Sequence, residues 1–578
     1  MSPVDFSLPR FPNAWRWITD RVWRVEHAFG RAKAEDRAED DTRLRIFFVL
    51  ALFAAAFLTL AIGAAHSALF SNNDRAGADG AAPGARAELV DRNGLLLAAD
   101  LPHFGLYYDP KENWDPDEVR RVLPTAVPGL SMDRLDRALK ADRRQYLTGG
   151  LTPADRDRID DLGIPGLSFE PEPKRAYLVG PTAGHLIGFV DRGGVGISGA
   201  ELGLDKLIRA NAGKGPVALS IDLRVQAALQ DEVERAAENF HAIGAAGIVT
   251  DVHTGEILGM ASYPAFDPNL VGQVPVANMT DHVASTVYEP GSVFKVFTLA
   301  MGIDSGVANV NTVMDTTTPL VIGNQHIRDD EPSKYNLHLW EVFTHSSNMG
   351  AARLGLKAGG DTLERYFKSF GLWQAAPSEL VESARPLTPK RLTDNSVASM
   401  SFGQAISVSP LAIATGMSAI LNGGEYIPLT IRKRDPGQPL SERRVISEAT
   451  SRTMLDLMRM NAQLGTGKGA DAAAPGYRVG GKTGTAQKAI NGHYATGKRV
   501  SSFAAIFPTD GPMDAPRYFV FILLDEPQPT KDTAGFAMGA QTAAPAAGRV
   551  IERIAPILGV KRAPVTPVAL AAAAKAPR

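Results

Sequence analysis

Cysteine is absent from all 578 residues, which excludes disulfides, thiolate metal sites and cysteine nucleophiles. That absence does not identify a compartment. An excess of either charge is lacking too: 61 Lys and Arg stand against 63 Asp and Glu, a formal net charge of −2. Nucleic-acid binding calls for a clustered basic surface, and this balance leaves no such footprint. The 11 histidines include no H-E-x-x-H or similar ligand spacing, so a metal-dependent hydrolase has no support. Composition is otherwise ordinary for a globular protein, 44% hydrophobic and 21% charged, with room for several domains.

What is present begins with one uncharged apolar run. Ile46 to Phe70 carries no Asp, Glu, Lys or Arg and is long enough to cross a bilayer with some tilt. Arg31, Lys33, Arg37, Arg43 and Arg45 precede it, whereas the next basic residues after it are Arg75 and Arg86. The positive-inside rule then predicts a single crossing, with residues 1–45 as a cytoplasmic tail and the chain after Phe70 outside the cytoplasm. Small residues near Ala65 and Ser67 would also suit a cleaved signal peptide. The length of the run and the long segment before it favour an anchor.

Residues 71–85 are rich in Gly, Ala, Asn and Asp and read as a flexible linker. From 86 to 221 the pattern is short strands and turns, with Asp91-Arg92-Asn93-Gly94 a strong turn signal, followed by charged helical stretches at 115–143 and 152–162. No chemistry is legible there. A second domain is predicted over 222–560. Val225, Ala228, Leu229, Val233, Ala236 and Phe240 share one helical face. Strands are predicted at 245–250, 256–261, 478–487, 501–507 and 518–525, and helices at 293–304, 337–345, 349–357 and 409–422. Strands from both ends around a helical middle predict an α/β fold whose sheet is closed by the two ends of the domain. The Ala-, Pro- and Lys-rich residues 561–578 are expected to be disordered.

Three short motifs carry candidate chemistry. In Ser292-Val293-Phe294-Lys295, the serine and lysine lie i and i+3 at the start of a segment apolar on nearly every side. The bland reading is a serine cap with a lysine snorkelling to water. The chemical reading is a nucleophile beside a desolvated amine of lowered pKa, with a helix N-terminus to favour an oxyanion. Ser346-Ser347-Asn348 falls between two predicted helices, where Ser and Asn are most often caps; Ser346 could instead relay a proton, and Asn348 could hold substrate and lysine. Lys482-Thr483-Gly484-Thr485 reads as a strand with glycines, either a bulged edge or an edge that pairs with an extended peptide. Lys482 and Thr483 would then face a carboxylate, and the Thr485 N–H would be a second oxyanion donor. Each motif alone is weak: an S-x-x-K arises about once by chance in a chain this long, and Ser71-Asn72-Asn73 is a spurious S-x-N. His345 lacks an acidic partner to orient it and is read as structural.

All three in this order match the S-x-x-K, S-x-N and K-T-G signature of penicillin-binding proteins and serine β-lactamases. The chain resembles class B penicillin-binding proteins, and within them the division-specific (septal) peptidoglycan D,D-transpeptidases. Arg86 to Gly94, His185-Leu186-Ile187-Gly188 and Gly196 to Glu201 resemble the family's pedestal, and Asp251 to Ala261 with Glu289-Pro290-Gly291-Ser292 resemble the opening of its transpeptidase domain. The middle residue, Ser347, also resembles the division branch, whereas elongation-specific relatives tend to carry Asp at the Asn348 position.

The resemblance implies a β-lactamase-like α/β domain, an antiparallel sheet with helices, on a β-rich pedestal of 86–221 behind one N-terminal transmembrane helix. It implies cross-linking of stem peptides ending D-Ala-D-Ala, covalent inhibition by β-lactams, and no metal or organic cofactor. Ser292, Lys295, Ser346 and Asn348 are the expected catalytic residues, and Lys482, Thr483, Gly484 and Thr485 the expected substrate-binding ones. Expected partners are a polytopic septal glycan polymerase and other division proteins at the bacterial inner membrane, with the catalytic domain periplasmic. Alternatives are an elongation-specific class B enzyme, a carboxypeptidase or β-lactamase, and a penicillin-binding division scaffold or sensor without turnover. A β-lactamase also needs a base for deacylation, and Glu379 and Glu382 lie in a suitable stretch without a decisive pattern. A bifunctional enzyme with a glycosyltransferase domain lacks the room before residue 222.

Overall fold

The computed structural model describes residues 85–564, apart from 128, 192, 441, 491 and 492, together with Phe53 and Phe57. The expected tail 1–45, span 46–70 and linker 71–85 thus lie outside the described residues but for Phe53, Phe57 and Ala85, as does the expected disordered tail beyond 564. Among the described residues, no helix is long and apolar enough to cross a membrane.

Leu89–Val90 (β1) and Leu96–Leu101 (β2) pair antiparallel across the turn that Asp91 and Gly94 mark in the sequence. The Asp91 carboxylate closes it, accepting from the backbone N–H groups of Asn93 at 2.7 Å and Leu95 at 2.9 Å. Phe104–Tyr108 (β3) starts a separate three-stranded sheet, lying between Gln145–Leu151 (β4) and Leu167–Pro171 (β5). Lys174–Tyr177 (β6) returns to pair with β2, and Val217–Ala218 (β7) runs parallel to β1, giving the order β6-β2-β1-β7.

The helical stretch expected over 115–143 is two helices, Pro116–Ala126 (α1) and Met132–Leu139 (α2). Gly129 takes a left-handed φ of 79° between them, which ends one helix before Ser131 caps the next. With Pro153–Asp160 (α3), these helices cover β3 and β4 through Val119, Leu123, Leu135 and Ile159 against Leu106, Tyr108 and Leu147.

A buried charge network ties this region together. Glu201 lies in the short helix Gly199–Gly203 (α4) and is fully buried. Its two carboxylate oxygens take Arg86 Nε at 2.8 Å and Arg175 Nε at 2.7 Å. Arg175 also reaches Asp100 at 3.0 Å, and Arg86 reaches Asp205 at 2.5 Å. Residues 86, 100, 175 and 201 lie in separate segments, so one anion between two guanidiniums joins the chain entering β1 to β2, β6 and α4. A buried charge left without its partner is costly, which makes the network all-or-none.

The larger sheet has the order Gly480–Ile490 (β10), His493–Phe507 (β11), Tyr518–Asp525 (β12), Gly244–Asp251 (β8), Ile257–Tyr263 (β9), every neighbour antiparallel. Strands from both ends of the region do meet in one sheet. Alternation along the strands sends Val249, Phe503, Val520 and Ile522 to one face and Ile248, Ala504, Phe519 and Phe521 to the other. The first face packs against Leu223–Asn239 (α5) through Val225, Leu229 and Val233, and against the C-terminal helix Ala543–Ile554 through Val550 and Ile551. The second face packs against helices from the middle of the chain, among them Lys295–Asp304 (α6) and the wholly buried Pro410–Leu421. Central β12 is buried along its whole length, as a strand covered on both faces must be. Helices Leu339–Thr344 (α7) and Asn348–Ala358 (α8) meet at a junction that reaches edge strand β10 through Ser346 and Lys482. The strand expected from residue 478 starts at Gly480, and the helix expected from 337 starts at Leu339, because Leu337–His338 pairs with Val313–Met314 instead.

The network at Glu201 generates a stability prediction. Glu201→Ala leaves the Arg86 and Arg175 guanidiniums buried without their shared anion, and it is expected to cost about 3–5 kcal/mol. A urea unfolding series followed by circular dichroism measures it. A change below about 0.5 kcal/mol would mean that the network contributes nothing net.

Candidate active site

The turn that carries Ser292 and the junction of α7 and α8 converge on one buried amine. Ser292 sits in a 3-10 turn, Gly291–Phe294, and Lys295 opens α6 directly after it. The sequence leads one to expect Ser292 at the first turn of the helix; the tighter turn places it one turn earlier, still on the face of Lys295. Lys295 Nζ lies 2.9 Å from Ser292 Oγ, 2.5 Å from the Ser346 carbonyl oxygen, 3.1 Å from Ser346 Oγ and 2.7 Å from Asn348 Oδ1. Two motifs are therefore joined through a single nitrogen.

Ser346 bridges to the third motif. It lies between α7 and α8 with a left-handed φ of 58°, uncommon for a residue with a side chain. Backbone conformations of that kind persist where surrounding contacts over-determine them, and they cluster at functional sites. Here the conformation turns both oxygens of Ser346 inward. Lys482 Nζ donates to Ser346 Oγ at 2.9 Å, so one hydroxyl oxygen faces two lysine amines. Lys482 also reaches the Thr483 carbonyl at 3.2 Å, and its amine is 5.9 Å from the centre of the Phe343 ring.

Both lysine side chains are fully buried, and this sets their electrostatics. Desolvation penalises the charged amine and pulls Lys295 down to about 7, against the upward pull of the Asp329 and Asp330 carboxylates. Lys482 is pulled well below the ordinary lysine range, first by burial and then by the like charge of Lys295. The hydrogen bonds Lys482 makes end on neutral oxygens. A buried cation site without a carboxylate of its own is suited to receive one from outside.

The third motif reaches the first through backbone alone. Strand β10 runs antiparallel to β11 with Lys482 opposite Ala504 and Gly484 opposite Ser502. A Cβ on Gly484 would stand 2.3 Å from Ser502 Oγ and 2.7 Å from the Pro290 carbonyl, so only glycine lets the strand lie against the turn that carries Ser292. On the other side of that turn, Gly403 at φ +84° would put a Cβ 2.0 Å from the Gly291 carbonyl. The Ser292 turn is thus held between two backbones. Thr485 faces away from the lysines, its Oγ1 accepting from the Gly539 N–H at 3.1 Å.

All eight sequence-predicted residues lie in this region. Ser292, Lys295, Ser346, Asn348 and Lys482 are joined by side-chain hydrogen bonds, Thr483 adjoins Lys482, and Gly484 and Thr485 supply main chain along the Ser292 turn. His345 points back to the Glu341 carbonyl at 3.1 Å, in keeping with a structural role. Glu379 and Glu382 are far from any catalytic duty in their contacts: Glu379 accepts from Thr430 Oγ1 and the Ile431 N–H, and Glu382 from the Gly199 N–H of α4.

Sequence reasoning missed three supporting residues. Thr466 Oγ1 accepts from Thr483 Oγ1 at 2.7 Å, and Asn461 Nδ2 donates to the Gly481 carbonyl at 2.6 Å. Asp329 accepts from Ser347 Oγ at 2.6 Å and from the Met349 N–H at 2.9 Å. Thr466 stands between two glycines, a weak turn signal; nothing local distinguishes Asn461 or Asp329.

Comparison with known proteins agrees with this geometry. Residues 245–552 match the penicillin-binding protein transpeptidase domain, and residues 81–234 match the penicillin-binding protein dimerisation domain. The chain is 53% identical over 556 residues to the probable peptidoglycan D,D-transpeptidase FtsI of Caulobacter vibrioides, covering 95% of this chain and 94% of that one. It is 31% identical over 500 residues to the peptidoglycan D,D-transpeptidase FtsI of Escherichia coli K12, covering 81% and 82%. Among solved structures, penicillin-binding protein 3 of Mycobacterium tuberculosis complexed with aztreonam superposes with a TM-score of 0.64 at 25% identity, covering 84% of this chain and 98% of that one.

Proposed function

The chain belongs to the class B penicillin-binding proteins as a division-specific (septal) peptidoglycan D,D-transpeptidase, a serine acyl-transfer enzyme that β-lactams inhibit, and from that premise we propose how its own residues carry the reaction. Ser292 is the nucleophile. Lys295, in its neutral form, takes the Ser292 hydroxyl proton as Ser292 Oγ attacks the carbonyl of the penultimate D-alanine in a stem peptide ending D-Ala-D-Ala. The observation that carries this reading is the 2.9 Å contact between Ser292 Oγ and a fully buried amine whose pKa is lowered to about 7.

The remaining steps follow from the same contacts. The oxyanion of the tetrahedral intermediate is received by backbone N–H groups at Ser292 and Thr485, whose chains lie against each other. Ser346, in reach of both amines, passes a proton to the departing D-alanine amine, and the C–N bond breaks to leave an ester at Ser292. An amine from a second stem peptide then attacks that ester, Ser292 regains its proton, and a cross-link results. A β-lactam opens on Ser292 in the first of these steps. The substrate strand pairs with β10 as an added edge strand.

Lys482 and Thr483 bind the terminal carboxylate. That carboxylate supplies the counter-charge the buried Lys482 amine lacks, which favours its protonation. The positive charge on Lys482 then disfavours a proton on Lys295, keeping the base neutral. Binding of the right terminus would thus activate the nucleophile.

Residues 222–560 are taken as the catalytic domain and 86–221 as the pedestal. Helix α5 supports the division at 222, because its apolar face packs on the catalytic sheet. Residues 46–70 are read as the anchor of an inner-membrane protein, with residues 1–45 cytoplasmic and the catalytic domain periplasmic. A polytopic septal glycan polymerase and other division proteins are the proposed partners, since cross-linking needs newly made glycan.

Intact-mass spectrometry after penicillin treatment is expected to show one adduct per chain, mapping to Ser292 and lost in Ser292→Ala. Lys295→Arg should be nearly inert, because a guanidinium stays charged and cannot accept the proton. Near wild-type acylation of either variant would overturn the assignments.

Lys482→Ala should still acylate at Ser292, roughly ten- to a hundredfold more slowly, for loss of one charge-assisted contact. Esterifying the ligand carboxylate should penalise wild type far more than this variant, since the contact is already gone there. Equal penalties would remove Lys482 as the carboxylate partner.

For the topology, a reporter active only outside the cytoplasm, fused after Val560, should function. Release of the protein from membranes by high salt alone would contradict an anchor at 46–70.

A further inference from the structure

Asp329 stands outside the three motifs, yet its carboxylate is built into the middle one. The loop that carries it follows a small hairpin, Leu320–Ile322 with Gln325–Ile327, and lies against the start of α8. Ser347 Oγ donates to Asp329 Oδ2 at 2.6 Å, and the Met349 N–H donates to Oδ1 at 2.9 Å. Ser347 Oγ in turn accepts from the Gly350 N–H at 3.0 Å. Asn348 Nδ2 reaches the Arg328 carbonyl at 3.5 Å. The loop therefore grips both neighbours of Asn348 and touches Asn348 itself, while Asn348 Oδ1 accepts from Lys295 at 2.7 Å. A carboxylate beside the first turn of an 11-residue helix is also favoured by the helix dipole.

We propose that Asp329 is a positioning residue of the transpeptidase reaction, bracing the start of α8 so that Asn348 is held against Lys295, with its carboxylate facing the site of the base. The proposal rests on the reading of Lys295 as the base. The groups facing Lys295 can be named element by element. Strand β10 offers the Lys482 amine, itself pulled well below the ordinary lysine range by burial and by Lys295, and the loop after the hairpin offers the carboxylates of Asp329 and Asp330. The junction of α7 and α8 offers neutral Ser346 and Asn348, and its own turn offers Ser292. Burial opposes a proton on Lys295, and the two aspartates favour one; a charged Lys482 would add to the effect of burial. Removing the Asp329 charge must then make the amine harder to protonate. It also frees Ser347 and the first turn of α8 from the loop, so Asn348 loses its brace.

The two contributions separate experimentally in the full-length chain. Acylation by a fluorescent penicillin is measured against pH for wild type, Asp329→Asn and Asp329→Glu. In parallel, the Lys295 amine is titrated by NMR of 13Cε-lysine, its resonance identified by its loss in Lys295→Arg. In wild type the rate should rise with pH as the amine deprotonates, with a midpoint near 7. Asp329→Asn should move both the acid limb and the amine midpoint to lower pH by about half to one unit, and lower the plateau roughly tenfold. Asp329→Glu keeps the charge, so its limb should stay near that of wild type while its plateau falls.

A limb and an amine midpoint both unchanged in Asp329→Asn would overturn the proposal, whatever happens to stability or plateau. So would an equal shift in Asp329→Glu, because charge would not be its cause. An amine midpoint that falls while the limb stays would keep the hold of Asp329 on the amine and overturn instead the reading of Lys295 as the base.

Discussion

An amine sealed away from water is the constraint on which the catalytic region depends. Lys295 is fully buried, and an ammonium there must find several oxygens or lose its proton. It does some of both. Four contacts to Ser292, Ser346 and Asn348 satisfy it, yet burial still lowers its proton affinity to the range where a base is useful. The surrounding architecture serves that balance: an apolar helix to bury the stem of Lys295, a left-handed Ser346 to turn oxygens inward, and glycines where backbones must close around the Ser292 turn.

The second lysine makes the site responsive to its ligand. Lys482 shares the Ser346 hydroxyl with Lys295, and two neighbouring ammoniums cannot both be stable in one dry site. In the proposed mechanism an incoming carboxylate resolves the conflict in favour of a charged Lys482 and a neutral Lys295, so that recognition and activation are one electrostatic event.

Away from the site, the same physics appears in a structural role. Glu201 between Arg86 and Arg175 neutralises charges that long-range folding has brought together. The helix that carries it also meets the catalytic region, where the Glu382 carboxylate accepts from the Gly199 N–H and the Glu379 carbonyl lies close to Gly203. The backbone N–H of Gly199 held by Glu382 and the close approach at Gly203 make the contact of the two regions specific in register.

Local order was legible in the sequence because it depends on neighbours along the chain. Apolar spacing found α5, alternation found the strands of the large sheet, and Asp91 with Gly94 marked the first turn. Ser292 and Lys295 could be paired from their i, i+3 spacing alone, and the order of three motifs pointed to the family. Tertiary structure decided the rest. That Ser346 is the bridge between two lysines follows from where the junction of α7 and α8 meets the edge strand, and that Glu382 serves the contact with α4 follows from a separate packing of the chain near residue 380. Asp329 and Asn461 carry no local mark and Thr466 only a weak one, because each acts on a motif outside its own stretch of sequence. Sequence spacing determines which side chains share a face; only the closed fold determines which faces meet, and how much water is left between them to set the charge of an amine.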